Sequence, residues 1–225
     1  LDGIDMRIIS IDCPGHGQSR LEDGVVPSFD WYTDLLMAQL DELNIEKAVF
    51  GGLSMGSGIA LNTALRYPDR VTGLILHRPA WLDKPFPENL LELKEATVFM
   101  KMKDGEKEYK KTEPFKALQS ELPAAAESVS GIFSPAQQDS LPRVIEAMVG
   151  DSPLLSLDQL SQITVPCLIL ANEDDPLHPF EMAEIIYKRI LNSTLRKITS
   201  RYLQAQKHKE EVQIHIIEFI KRSLE

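Results

Sequence analysis

The pentapeptide Gly52-Leu53-Ser54-Met55-Gly56 constrains this chain more than any other feature. A short apolar run over residues 47–53 leads straight into it. A helical pattern over residues 55–67, stopped by Pro68, leads straight out. Turning from strand to helix with no connecting loop forces the serine into a strained backbone conformation, and small residues two before and two after it avoid a clash. The hydroxyl then projects above the sheet edge, and the N–H of Met55 points into the same space. With Gly and Ser each at about 7% of residues, chance supplies roughly 0.1 such matches in a chain this long. The strand–turn–helix context therefore carries the signal, not the spelling.

The same texture recurs along the chain. Residues 6–12, 71–76 and 165–171 are short continuous apolar runs, and residues 195–199 are a weaker one. Continuous rather than alternating runs suit strands covered on both faces, as in parallel sheets. Between them lie helical patterns. Ser28 is a plausible N-cap for a helix to about residue 43, with Leu36, Leu40 and Leu43 at helical spacing. Residues 180–191 and 208–224 follow, the last with Val212, Ile216, Phe219 and Ile220 on one face and Lys221 and Arg222 suiting the helix dipole. Residues 81–161 read differently: amphipathic stretches broken by prolines, with no strand, and a charge-dense solvated piece at 101–111. The expected fold is α/β, a mostly parallel sheet flanked by helices. Residues 1–80 and 162–225 form the core, and 81–161 form a helical cap inserted into it.

The chain has 225 residues, a mass of 25.3 kDa, 43% hydrophobic and 26% charged residues, enough to bury a core without staples. Its net charge of −10 repels phosphate backbones and anionic lipids, so neither nucleic acid nor a membrane is an expected partner. No stretch matches the roughly 20 apolar residues of a membrane-spanning helix, and no basic-then-apolar leader marks it for secretion. A cytoplasmic setting is expected. Cys13 and Cys167 lack any metal-binding or disulfide spacing and read as small buried hydrophobes. No metal and no cofactor are expected. The chain opens on Leu1, not Met, and enters strand-like sequence at once, so this start is not expected to be the natural one.

A serine hydroxyl is a poor nucleophile until a base removes its proton, so a histidine and an orienting acid should follow. Residues 168–179 (LILANEDDPLHP) run from a strand into a turn with two adjacent carboxylates. Both cannot point inward, so one of Asp174 and Asp175 should meet the histidine. Of five histidines, His215 lies among isoleucines in the last helix, and His178, in the acid loop itself, sits too close in sequence to face the carboxylate across the site. His77 ends a strand and suits the pocket floor, while His16 borders the site. His208 follows the last strand on the same carboxyl-end face as Ser54, which makes it the best base by position.

Three motifs give the chain a resemblance to the α/β-hydrolase family over nearly its whole length. Residues 12–19 (DCPGHGQS) are similar to the family's D-x-P-G-x-G-x-S turn after its fourth strand, and Gly52–Gly56 matches its nucleophile elbow. Residues 172–179 resemble its acid loop, G-x-x-D-P-x-x-P, with Asn172 where glycine is usual. Alignment on both prolines places the acid at Asp175; setting Ala171 at the glycine would select Asp174. His208 matches the family's terminal histidine, with Lys207 at the usual glycine. The resemblance implies catalytic Ser54, Asp175 and His208, with the Met55 N–H as one oxyanion donor. It also implies a cap whose Trp81, Phe86 and Phe99, with His16, are candidates to line a substrate pocket.

The expected activity is that of a serine hydrolase, carboxylesterase-like, acting on a small-molecule acyl substrate through an acyl-enzyme. C–C bond hydrolysis, lactone hydrolysis, cofactor-free perhydrolysis and a non-enzymatic ligand-binding role are the alternatives. Nothing in the sequence speaks against a homodimer. The family's sheet order is 1-2-4-3-5-6-7-8, and its second oxyanion donor comes from an H-G segment after strand three. The first run here already resembles strand four, so the earlier strands and that segment are absent from the sequence as given. A clipped chain is the expected explanation, ahead of a truncated and rearranged protein and of a sheet completed by another chain; were the chain complete, losing one donor should lower activity by ~10²–10³.

Overall fold

The computed structural model describes residues 6–134 and 140–223. Four parallel strands make one sheet in sequential order: β1 (Ala48–Leu53), β2 (Val71–His77), β3 (Cys167–Ala171) and β4 (Ser193–Lys197). Each parallel pairing needs a crossover, supplied here by helices. α1 (Phe29–Glu42) precedes β1, with the Ser28 side chain accepting from Trp31 N–H at 3.0 Å. That cap is worth ~1 kcal/mol. α2 (Met55–Arg66) links β1 to β2, α8 (Phe180–Tyr187) links β3 to β4, and α9 (Ala205–Ser223) closes the chain.

Between β2 and β3 lie α3 (Glu88–Met100), α4 (Gly105–Tyr109), α5 (Glu113–Glu121), α6 (Pro123–Ser130) and α7 (Leu141–Val149). No strand interrupts them among the described residues. Their largest apolar cluster includes Trp81, Tyr109, Phe115 and Met148, and it runs on into Phe29 and Tyr32 of α1. The helices of this segment therefore pack against α1 rather than standing apart.

Both faces of the sheet are covered, which explains the continuous apolar runs. Leu74, Leu76 and Ile169 pack with Leu40, Leu61 and Ile186 on the face of α1, α2 and α8. Ile75, Leu168 and Leu170 point the other way, against Ile220 and the partly buried Val212, Ile216 and Phe219 of α9. Cys167 is buried in the first of these clusters, and burial raises its thiol. No helix among the described residues is long and apolar enough to cross a membrane.

One expected strand is not formed. Residues 6–12 have no ladder partner, and Ile8 is 64% exposed. A strand exists only by hydrogen bonding to a neighbour, and none of the four strands pairs with this run. Met6 still packs against the α9 cluster. The helix expected over 180–191 is also shorter: it ends at Tyr187, and the following turn buries Ile190.

The register sets up the site. Leu53 lies opposite His77, and His77 opposite Leu170, while Leu170 pairs with Arg196. The residues just past each strand, Ser54, Arg78, Asn172 and Ile198, thus emerge close to one level at the carboxyl end of the sheet. Open α/β sheets gather their reactive groups there.

Candidate active site

Ser54 stands between β1 and α2 with φ 55° and ψ −114°. A side-chain-bearing residue in this region stores roughly 1–3 kcal/mol of strain, so the surroundings must over-determine it. They do. Ser54 N–H donates to His77 O at 3.0 Å, and the Ser57 hydroxyl reaches both Gly52 O (2.7 Å) and His77 O (3.0 Å). A Cβ on Gly52 would come within 2.1 Å of the Gly56 carbonyl carbon, so only glycine fits. The second small residue is different: a Cβ on Gly56 would meet open space, and the elbow does not require glycine there. Met55 opens α2, and the first N–H groups of a helix have no acceptor within it.

Asp175 and Asp174 separate cleanly. Asp174 is exposed with φ 56°, whereas the Asp175 side chain is fully buried. Its partners were not those expected. Arg78, buried and at φ 51°, donates from Nε to Asp175 Oδ2 at 2.6 Å, and its Nη2 also pairs with Oδ2. Asp175 Oδ1 lies 2.9 Å from His178 Nδ1. A carboxylate only accepts, so His178 Nδ1 carries the hydrogen. The 3.1 Å approach of Arg78 Nη2 to that nitrogen is then donor against donor and contributes no bond. Tyr202 completes the enclosure: Arg78 Nη2 donates to its hydroxyl at 3.3 Å, and the guanidinium lies 5.6 Å from its ring centre. His178 meets the carboxylate from within the same loop, a contact not foreseen from the sequence. The tight turn Asp175–His178, closed by His178 N–H to Asp175 O at 3.1 Å, folds the two side chains together.

Burial works against a charge on Asp175, but the hydrogen bond and charge of His178, and then Arg78, override it and hold its carboxyl below the ordinary range. Burial pushes His178 down, and Asp175 only partly opposes it. His77 is pushed down to about 3, first by burial, then by Arg78, His208 and His178.

His208, buried at the start of α9, is held elsewhere. Its Nδ1 lies 2.7 Å from Thr199 O, and its ring stacks on His77 with centres 5.3 Å apart. The structure brings His208 to His77 and Thr199, and Asp175 to Arg78 and His178; it does not bring Asp175 to His208. Arg78, Thr199 and Tyr202 were missed in the sequence. Arg78 had a signal, a cation directly after a strand end; Thr199 and Tyr202 had none, since ordinary turn residues there are common.

The expected pocket residues divide. Trp81 and Phe99 sit in the apolar cluster of the helical segment, Trp81 donating from Nε1 to Met148 O at 2.9 Å. Phe86 is half-exposed under the Lys94 ammonium, 4.6 Å from its ring centre. His16 is half-buried in the turn after residue 12, where Gly15 and Gly17 take positive φ. His16 Nδ1, His77 Nε2 and Asn172 Oδ1 are buried without hydrogen-bond partners. Such groups are costly inside a protein, and a polar group at the sheet's carboxyl end would relieve the two that stand there, His77 Nε2 and Asn172 Oδ1. No cluster of metal-ligating side chains occurs among the described residues.

Comparison with known proteins places this architecture. The family profile for the alpha/beta hydrolase fold matches residues 1–200. Among curated relatives, the uncharacterized hydrolase YugF of Bacillus subtilis (strain 168) is 24% identical over 95% of this chain and 80% of its own length. The 3-oxoadipate enol-lactonase 2 of Acinetobacter baylyi is 24% identical over 87% of this chain and 72% of its own. Among solved structures, a thermophilic esterase from Thermogutta terrifontis superposes with a TM-score of 0.71 at 24% identity, covering 94% of this chain and 78% of the esterase.

Proposed function

The chain belongs to the alpha/beta hydrolase fold family, and on that premise we propose that it is a serine hydrolase cleaving a small or medium carboxylic ester through an acyl-enzyme. The observation that carries this is the elbow: Ser54 at φ 55°, between a strand and a helix N-terminus, with Gly52 sterically obligatory. Ser54 attacks the carbonyl carbon, and His208 takes its proton and returns it to the leaving alcohol. The Met55 N–H, at the positive end of α2, meets the oxyanion, and water then releases the acid. Thr199 O accepts from His208 Nδ1, which leaves Nε2 bare and able to act as a base. Asp175 belongs to this set as the buried carboxylate of the site; to hold the imidazole directly it must exchange His178 for His208.

A cyclic ester asks for the same chemistry, and the enol-lactonase relative favours a lactone as the second reading. A fluorophosphonate probe tests both, because it needs only an activated serine. Labelling of the wild-type protein that disappears in Ser54→Ala is expected. A folded wild-type protein that stays unlabelled would overturn the proposal. Lactone against open-chain ester is then settled by a substrate panel.

A further inference from the structure

His208 is held by the Thr199 carbonyl, and Thr199 is itself held through its N–H and hydroxyl by a carboxylate. Thr199 N–H donates to Glu211 Oε2 at 2.6 Å, and the Thr199 hydroxyl donates to Glu211 Oε1 at 3.1 Å. Both oxygens of Glu211 are thus spent on the one residue whose carbonyl receives His208 Nδ1–H at 2.7 Å. Glu211 lies one turn beyond His208 on α9, so helix geometry holds the two at fixed separation on neighbouring positions of one face. The Thr199 backbone, just past β4, closes the loop between them. The Thr199 N–H hydrogen bond, with burial opposing it and the hydroxyl adding to it, keeps the Glu211 carboxyl below its ordinary range. Lys207 Nζ stands 3.8 Å from Oε1, on the solvent side.

Taking His208 as the base, as in the proposed function, we infer that Glu211 is a positioning residue that orients His208 through Thr199. The task usually given to a carboxylate on the imidazole is divided here into two steps. The carbonyl selects the Nδ1–H tautomer, because an oxygen can only accept. The carboxylate locks the threonine that presents this carbonyl, through charge-assisted bonds of the stronger class. In this structure Asp175 is engaged by Arg78 and His178, and the group that meets His208 Nδ1 is the Thr199 carbonyl.

The experiment measures two things on wild-type, Glu211→Gln and Glu211→Ala proteins. The first is the imidazole nitrogen spectrum at pH 8, with the His208 signal assigned by His208→Gln. The second is the fluorophosphonate reaction, with the bound-state rate separated from probe affinity. Wild type should show His208 as the Nδ1–H tautomer. Glu211→Ala should show a mixture of tautomers and a bound-state labelling rate lower by roughly tenfold, at unchanged affinity. Glu211→Gln, whose amide oxygen still accepts the Thr199 N–H, should lie between. A merely structural glutamate would lower the folded fraction and leave the tautomer of the folded molecules as it was. An unchanged His208 spectrum in Glu211→Ala overturns the inference. If wild type is never labelled, the hydrolase reading fails while the nitrogen spectrum still decides the role of Glu211.

Discussion

Two turns at the same end of the sheet hold two buried polar groups in opposite ways. After β3, Asp175 is locked by a full charge, Arg78, and by a histidine three residues on, inside a wall that includes Tyr202. After β4, His208 is held by a neutral carbonyl, and the charge that steadies it, Glu211, is one residue removed and half-exposed. The first arrangement is stiff and self-neutralising; the second leaves an imidazole nitrogen uncommitted. Removing either partner of a buried ion pair leaves a bare charge in low dielectric, whereas a carbonyl–imidazole bond makes only a modest net contribution. The first turn closes on itself, whereas the second leaves one imidazole nitrogen free for the proposed chemistry.

The largest break in that contrast is Asp175→Asn. Arg78 would be left buried without its charge partner, and urea unfolding should show a loss of about 3–5 kcal/mol. The same change in an Arg78→Met background should cost far less. A loss under about 1 kcal/mol for the single substitution would mean that the clasp does not hold the fold.

Acid sharpens the contrast next. His77 titrates at about 3 in the folded chain against about 6.5 unfolded, so between these values the unfolded state binds the extra proton. Stability therefore falls as pH falls through this window, by about 2 kcal/mol at pH 5 from His77 alone, with His178 adding in the same direction. Asp175, shifted downward, stabilises above the ordinary carboxylate range and is lost only at still lower pH. His77→Gln should flatten the slope of unfolding free energy between pH 5 and 6.5. A slope that survives the substitution would shift the effect to His178 and the acid loop.

The smallest effect belongs to Lys207, at the position where a glycine was expected. It lies within α9 and reaches Glu211 only at 3.8 Å, as an exposed i,i+4 pair. Lys207→Ala should change the unfolding free energy by less than about 0.5 kcal/mol. A larger change would show that the outer side of the Glu211 turn bears on the fold.

Much of the architecture was legible from sequence because it is local. The run 47–53, the elbow and the helix to Arg66 are contiguous, so strand, strain and helix follow from neighbouring residues. The amphipathic face of α9 could be read from its spacing, and Val212, Ile216, Phe219 and Ile220 do cover the sheet. Residues 6–12 misled for the converse reason: an apolar run reports burial propensity, but a strand needs a partner that the run itself cannot name.

By itself the sequence pointed to a strained serine, the histidines at 77 and 208 and two adjacent carboxylates at the sheet's carboxyl end, while Arg78 and the part played by His178 came from the tertiary structure. Tertiary structure decided who meets whom. Arg78 and Asp175 are 97 residues apart in the chain, and their pairing follows from β2 and β3 being neighbours in register. Once a buried guanidinium stands there, the nearest carboxylate must neutralise it, because an unpaired charge in that wall costs more than any hydrogen bond to an imidazole. His208 then takes the carbonyl that the turn after β4 presents. Local patterns bring the groups to one layer; desolvation and distances of a few ångströms choose their partners.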